Sequence, residues 1–232
     1  MFKVCNFAIQ IKEMAYILNL ETATKNCSVS IANDGKVLAI REIATENFSH
    51  AEKLHVFIEE CLQEANLAFQ NINAVAVSKG PGSYTGLRIG VSAAKGLCYA
   101  LSLPLISIDT LELLAKKITI KKGIIIPMID ARRMEVYTAF FSKDYTKISE
   151  TEAKVIDENS FVEIQEPMHL VGDGAIKLKS VLTDKKFTFY DEILYPSALE
   201  MCQLSFEKFK ISDFEDVAYF EPFYLKDFVL NK

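Results

Sequence analysis

The sequence predicts an α/β protein made of two consecutive βββαβαβ units. Three observations carry that expectation. Short apolar runs rich in β-branched residues recur at 16–21, 27–32, 74–77, 105–108 and 124–129, each with the length of a strand. Stretches with helical apolar spacing alternate with them. The order read in the first half then returns after Gly123. Of the 232 residues, 50% are hydrophobic and 11% aromatic, enough for a core, which argues against disorder.

In the first half, Tyr16 to Glu21 reads as a strand followed by the loop Thr22-Ala23-Thr24-Lys25-Asn26. Strands at 27–32 and 36–41 are joined through Asn33-Asp34-Gly35, a hairpin signal. Ser49 and Glu52 form a capping box, and the helix they open carries Leu54, Phe57, Ile58, Cys61, Leu62 and Ala65 on one face. After strand 74–77, Gly80-Pro81-Gly82 breaks the chain. A long helix follows from about Tyr84, capped by Ser83 or Thr85. It contains Gly86, Gly90 and Gly96, each costing ~1 kcal/mol relative to alanine, so close packing must offset the loss. At 100° per residue, Ser102, Lys95, Arg88, Tyr99 and Ser92 fill one polar arc. The rest of that helix is apolar or small, too much for one sheet to cover, so a second partner is expected from this chain or another. A strand at 105–108 completes the unit.

The second half gives strands at 124–129 (ending in Asp130), 135–142 and 147–156, and a weak helix at 158–165. A strand at 169–171 leads through Gly172-Asp173-Gly174 into a helix at 175–182. A strand at 186–190 and a helix at 197–209 close the chain. Tandem βββαβαβ units are the order of the ribonuclease-H-like, actin/hexokinase/Hsp70 (ASKHA) architecture. Domains are placed at 14–120 and 121–232, with residues 1–13 as an upstream extension before Met14 and the final segment packing back on the first domain. Active members of this architecture hold ATP between the halves, with acidic residues in the strand-one loops serving Mg²⁺. Glu21, Thr22, Thr24, Asp130 and Gly172-Asp173-Gly174 are the corresponding cofactor-binding candidates here. Their pattern is thin, because Thr22-Ala23-Thr24 lacks the glycine of a D-x-G-T/S phosphate loop. Gly80, Gly82 and Gly86 give G-x-G-x-x-x-G, which is neither the dinucleotide fingerprint nor a P-loop.

Other function classes have less support. A formal charge of −5 argues against broad nucleic-acid binding by the chain alone. Five cysteines without a C-x-x-C fit reduced cytosolic thiols, and Cys98 reads as a packing thiol. No apolar run reaches the ~18 residues of a membrane span, and residues 1–13 lack the marks of a signal peptide. His50 and His55 stand five apart, about 140° around a helix, which is wrong for a shared metal. No G-x-S-x-G elbow surrounds Ser78 or Ser83.

Several stretches together resemble the TsaB (YeaZ) family, which takes part in making threonylcarbamoyladenosine on tRNA. They are Leu18 to Thr24, Cys27-Ser28-Val29-Ser30, His50, the block Gly80 to Gly90, Asp130-Ala131-Arg132-Arg133, Val136-Tyr137, Gly172 to Ala175 and Pro222-Phe223-Tyr224-Leu225. The family usually has Asp where this chain has Glu21, and arginine is common at Lys226. The resemblance implies a cytoplasmic, non-catalytic subunit that pairs with a TsaD-type transferase, works with a TsaE-type ATPase and forms homodimers alone. It implies that ATP and Mg²⁺ serve the complex, that this chain needs no cofactor of its own, and that tRNA is reached through the complex. The family packs its N-terminal helices against the transferase. On that basis Gly86, Gly90, Ala93, Ala94 and Leu97, with His50 and Leu54, are assigned to the interface; the Ile89–Gly96–Ala100 side is the alternative. An ATP-dependent phosphotransferase and a metallopeptidase are the rival readings.

Overall fold

The computed structural model describes residues 14–45 and 50–226. The first strands follow the alternation of their side chains. β1 (Tyr16–Glu21) pairs antiparallel with β2 (Asn26–Asn33), which pairs with β3 (Lys36–Ala44) through the Asp34-Gly35 turn. β4 (Ala74–Gly80) runs parallel to β1, and β5 (Leu105–Asp109) parallel to β4, giving the order β3-β2-β1-β4-β5.

One face of this sheet carries Leu18, Leu20, Cys27, Val29, Ile31, Val75 and Val77. It is covered by α1 (His50–Glu64) and α2 (Tyr84–Leu101). The opposite face carries Ile17, Ala74, Ala76, Ile106 and Ile108 beneath α5 (Ala198–Lys210), the last helix among the described residues. There the alternation in Cys27-Ser28-Val29-Ser30 becomes legible. Ser28 and Ser30 point to α5, where Ser28 Oγ accepts from Ala198 N (3.0 Å) and Ser30 Oγ donates to Ala198 O (2.8 Å). Ser205 Oγ donates to Asn19 Oδ1 (2.7 Å), so a satisfied polar seam joins the two ends of the chain without leaving buried donors stranded.

The second sheet repeats the first. β6 (Ile124–Asp130) pairs antiparallel with β7 (Glu135–Thr138), which pairs with β8 (Glu152–Val155). β9 (Met168–Val171) and β10 (Phe187–Tyr190) add in parallel, giving the order β10-β9-β6-β7-β8. Both sheets therefore place their first strand centrally, with strands two and three on one side and four and five on the other. This is the ASKHA, ribonuclease-H-like α/β architecture that the element order predicted.

Several elements differ from the sequence reading. α3 (Thr110–Ala115) was not anticipated; Asp109 caps it, accepting from Leu111 N at 2.8 Å, and its apolar side closes the core against β6. Residues 158–165 form turns rather than a helix. The expected helix at 175–182 is the short α4 (Asp173–Ile176) followed by turns whose bonds run i to i+3, such as Leu178 N to Ala175 O. Ala175, Leu178 and Leu182 are still buried, because apolar residues three and four apart serve tight turns as well as α-helix. The strands expected at 135–142 and 147–156 are shorter than read. The Ser49 capping box and the 1–13 extension lie outside the described residues.

Candidate functional site

The glycine-rich start of α2 and the loop after β1 form one interlocked unit. Ser83 caps the helix, its Oγ accepting from Gly86 N at 3.2 Å. Ser83 N donates to Ala23 O (2.7 Å), and Thr22 Oγ1 donates to Gly86 O (2.7 Å). A Cβ on Gly82 would stand 2.3 Å from Ala23 O; on Gly86, 2.1 Å from Thr22 O; on Gly90, 2.3 Å from Thr22 Oγ1. These separations are far inside van der Waals contact, so the three glycines exist to let α2 lie on the strand-one loop. That is the close packing the helix needed to offset its lost propensity.

The arrangement bears on the cofactor candidates of the first half. Thr22 and Thr24 are buried, and the Ser83 and Gly86 amides that could face an anion are spent on Ala23 and Ser83. Glu21 is fully buried, its Oε1 accepting from Ala23 N at 2.6 Å. Its Oε2 and the neighbouring Ser78 Oγ are buried without a hydrogen-bond partner among the described residues. Burial pushes the Glu21 carboxyl up to about 7; the Ala23 amide and Ser78 pull the other way, and Glu200 adds to the rise. With residues 21–24 buried and these amides already bonded, the described residues of this loop do not fit ATP·Mg²⁺.

The second half is equally committed to its own chain. Asp130 is half-exposed and ion-paired with Lys177, while its backbone N donates to Asp173 Oδ1 (3.0 Å). Burial raises the Asp173 carboxyl. Gly172 has φ +114°, and a Cβ there would meet Met128 O at 2.3 Å; one on Gly174 would lie 2.9 Å from the same oxygen. Gly172-Asp173-Gly174 thus seats α4 on β6.

The interface assignment needs correction. Gly86, Gly90 and Ala94 are buried with Leu87, Val91 and Cys98 on the side facing the chain's own sheet and loop. His50 and Leu54 are 0% exposed; His50 Nε2 donates to Thr24 O at 2.8 Å, holding α1 to the strand-one loop. His55 lies exposed on the opposite side of that helix. Ala93 and Leu97 are half-buried margins, whereas Gly96 and Ala100 are exposed and nothing lies within 4 Å of a Cβ on Gly96. The small-residue spacing was right about close approach but named the wrong neighbour. The outer apolar side is the alternative one, through Ile89, Gly96 and Ala100.

Sequence reasoning expected the final segment to pack back on the first domain but named none of the residues that hold it. Glu215 N donates to Leu105 O (2.8 Å) beside the β5 edge, and Phe223 N donates to Lys79 O (2.7 Å). Lys95 Nζ donates to Ala218 O and Phe220 O (3.2 and 2.9 Å), so part of the polar arc of α2 is covered. Tyr224 lies against Tyr84 (ring centroids 4.8 Å apart), and Lys226 pairs with Glu135 on the second sheet. Among the described residues no helix is long and apolar enough to cross a membrane, and no group of His, Cys, Asp or Glu could hold a metal ion.

Comparison with known proteins points to one family. Residues 42–224 match the family model for TsaD, tRNA N6-adenosine threonylcarbamoyltransferase. The tRNA threonylcarbamoyladenosine biosynthesis protein TsaB of Escherichia coli is 32% identical over 225 residues, covering 93% of this chain and 96% of that protein. A transferase from Geobacillus thermodenitrificans matches at 32% over 115 residues, but only 43% of this chain and 34% of that protein. The solved YeaZ from Pseudomonas aeruginosa superposes with a TM-score of 0.79 at 22% identity, covering 91% of this chain and all of that one. Near-complete coverage of both partners sets the TsaB match apart from the partial transferase match. The chain belongs to the TsaB family, the tRNA threonylcarbamoyladenosine biosynthesis proteins.

Proposed function

We propose that this chain is the non-catalytic partner subunit of a tRNA threonylcarbamoyladenosine transferase complex, supporting a TsaD-type transferase in the cytoplasm. The observation that carries the reading is the closed strand-one loop. The place where an ATP-using protein of this architecture would receive phosphate and metal is filled by α2, and Glu21 is buried against Ala23. The outer side of α2, with Ile89, Gly96 and Ala100, is the surface offered to the transferase or to a second copy of this chain. ATP chemistry in the complex then falls to the transferase and a TsaE-type ATPase.

Depleting the protein and quantifying threonylcarbamoyladenosine in bulk tRNA tests the reading. A fall in the modified nucleoside is expected. Unchanged modification, in a cell with no second copy, contradicts it.

A further inference from the structure

The chain has only four arginines, and the structure spends two of them internally. Arg41 pairs with Glu60 and Glu64, and Arg88 stacks over the Tyr84 ring at 4.3 Å while donating to Tyr224 OH at 3.3 Å. Arg132 and Arg133 are different. Both are exposed in the turn between β6 and β7, and neither side chain makes a hydrogen bond or ion pair among the described residues. Both have left-handed backbone, φ 71° and 50°. Two consecutive residues with bulky side chains rarely adopt that conformation, which glycine and asparagine fill at lower cost. The turn is held there by Asp130 Oδ1, which accepts from Arg132 N at 2.8 Å.

The local charges decide what the turn presents. Asp130 is neutralised by Lys177 and Glu135 by Lys226, leaving the two guanidiniums uncompensated although the whole chain carries −5. Lys226 also links the turn to Tyr224, and Tyr224 to Tyr84 and Arg88. One continuous band therefore runs from the start of α2 to the β6–β7 turn, with two free guanidiniums at one end and tyrosine rings with a stacked guanidinium at the other. Guanidiniums take phosphates in a two-pronged fashion, and aromatic and guanidinium planes take unstacked bases.

We propose that the Arg132–Arg133 turn and the Tyr84–Arg88–Tyr224 cluster form a contact surface for the backbone and unpaired bases of an RNA. The inference rests on the family role in tRNA modification and places a tRNA contact on this subunit. The aromatic end favours RNA over an acidic protein surface, which would use the charges alone.

The test is a fluorescence titration of the full chain with a labelled tRNA anticodon stem-loop, repeated from 20 to 100 mM salt. Each lost phosphate contact flattens the salt dependence of log K by about 0.7–0.9. Arg132→Gln with Arg133→Gln should therefore weaken binding at 20 mM salt and flatten the slope by about 1.5. Arg132→Lys with Arg133→Lys should retain most of the slope, which separates lost charge from a disturbed turn. Lys121→Gln with Lys122→Gln removes the same charge at exposed positions outside the band and should have less than half the effect. Equal effects of the two glutamine pairs, an unchanged slope, or displacement of the RNA by polyglutamate of matched charge would overturn the proposal. A flat slope with normal dependence of tRNA modification on the protein sinks this surface alone; modification that persists without the protein sinks the family role itself.

Discussion

Replacing Glu21 with glutamine should stabilise the protein at high pH and do little at low pH. The carboxyl is fully buried, and burial raises it from an ordinary value of 4.5 to about 7. The folded state therefore holds the proton more tightly than the unfolded chain. The stability from that proton is complete below pH 4.5, is lost as the pH climbs to about 7, and stays lost above it. The span from 4.5 to about 7, at about 1.4 kcal/mol per pH unit, amounts to about 3 kcal/mol. Glutamine keeps the shape and an acceptor for Ala23 N but cannot ionise. Urea denaturation of both proteins at pH 4.5 and pH 8 isolates the effect, since the two chains differ only at residue 21. The glutamine protein should gain about 3 kcal/mol relative to the parent between the two pH values. An equal difference at both, or a parent favoured at pH 8, would mean that Glu21 is ionised and paired, and the reasoning would fail.

Two further expectations concern α2. Gly86→Ala drives a Cβ against Thr22 O and should cost ~1–3 kcal/mol by overpacking, while Gly96→Ala meets open space and should gain up to ~1 kcal/mol of helix propensity. Thermal melts of the two variants check this, and equal stability would refute the inward orientation of the Gly86 side. Gly96→Leu should leave the melt near that of the parent and weaken transferase binding ~5–150-fold, read by titration with the transferase subunit. Unchanged affinity would mean that the outer side of α2 is not the docking face.

Most strands were legible because their signals are local. The run Tyr16 to Glu21 and the Asn33-Asp34-Gly35 turn specify a strand and a hairpin without help from distant residues, and the repeat of the order after Gly123 exposed the tandem plan. α3 was missed although Asp109 with Glu112 three residues on is a cap signal, because six residues are too few for helical periodicity to show. The orientation of α2 was beyond reach for a different reason. Small residues four apart say that something comes close, and only the fold says whether that is a partner helix or the chain's own Thr22. Glu21 was visible as an acidic residue at a strand end, but its burial depends on the fold bringing Ser78 and Glu200 of α5 around it. The paired αL conformations at Arg132 and Arg133 carry no sequence mark, since nothing about two arginines demands positive φ.

The central claim is that this subunit supports tRNA modification without nucleotide chemistry at its own strand-one loops. Reconstituted threonylcarbamoyladenosine formation, with a transferase subunit, a TsaE-type ATPase and tRNA, tests it when this chain carries Glu21→Gln together with Asp130→Asn. The acidic residues of both strand-one loops are then neutral. The account predicts modification at the parental rate; a loss of ten-fold or more by a variant that is folded and binds the transferase normally would contradict it.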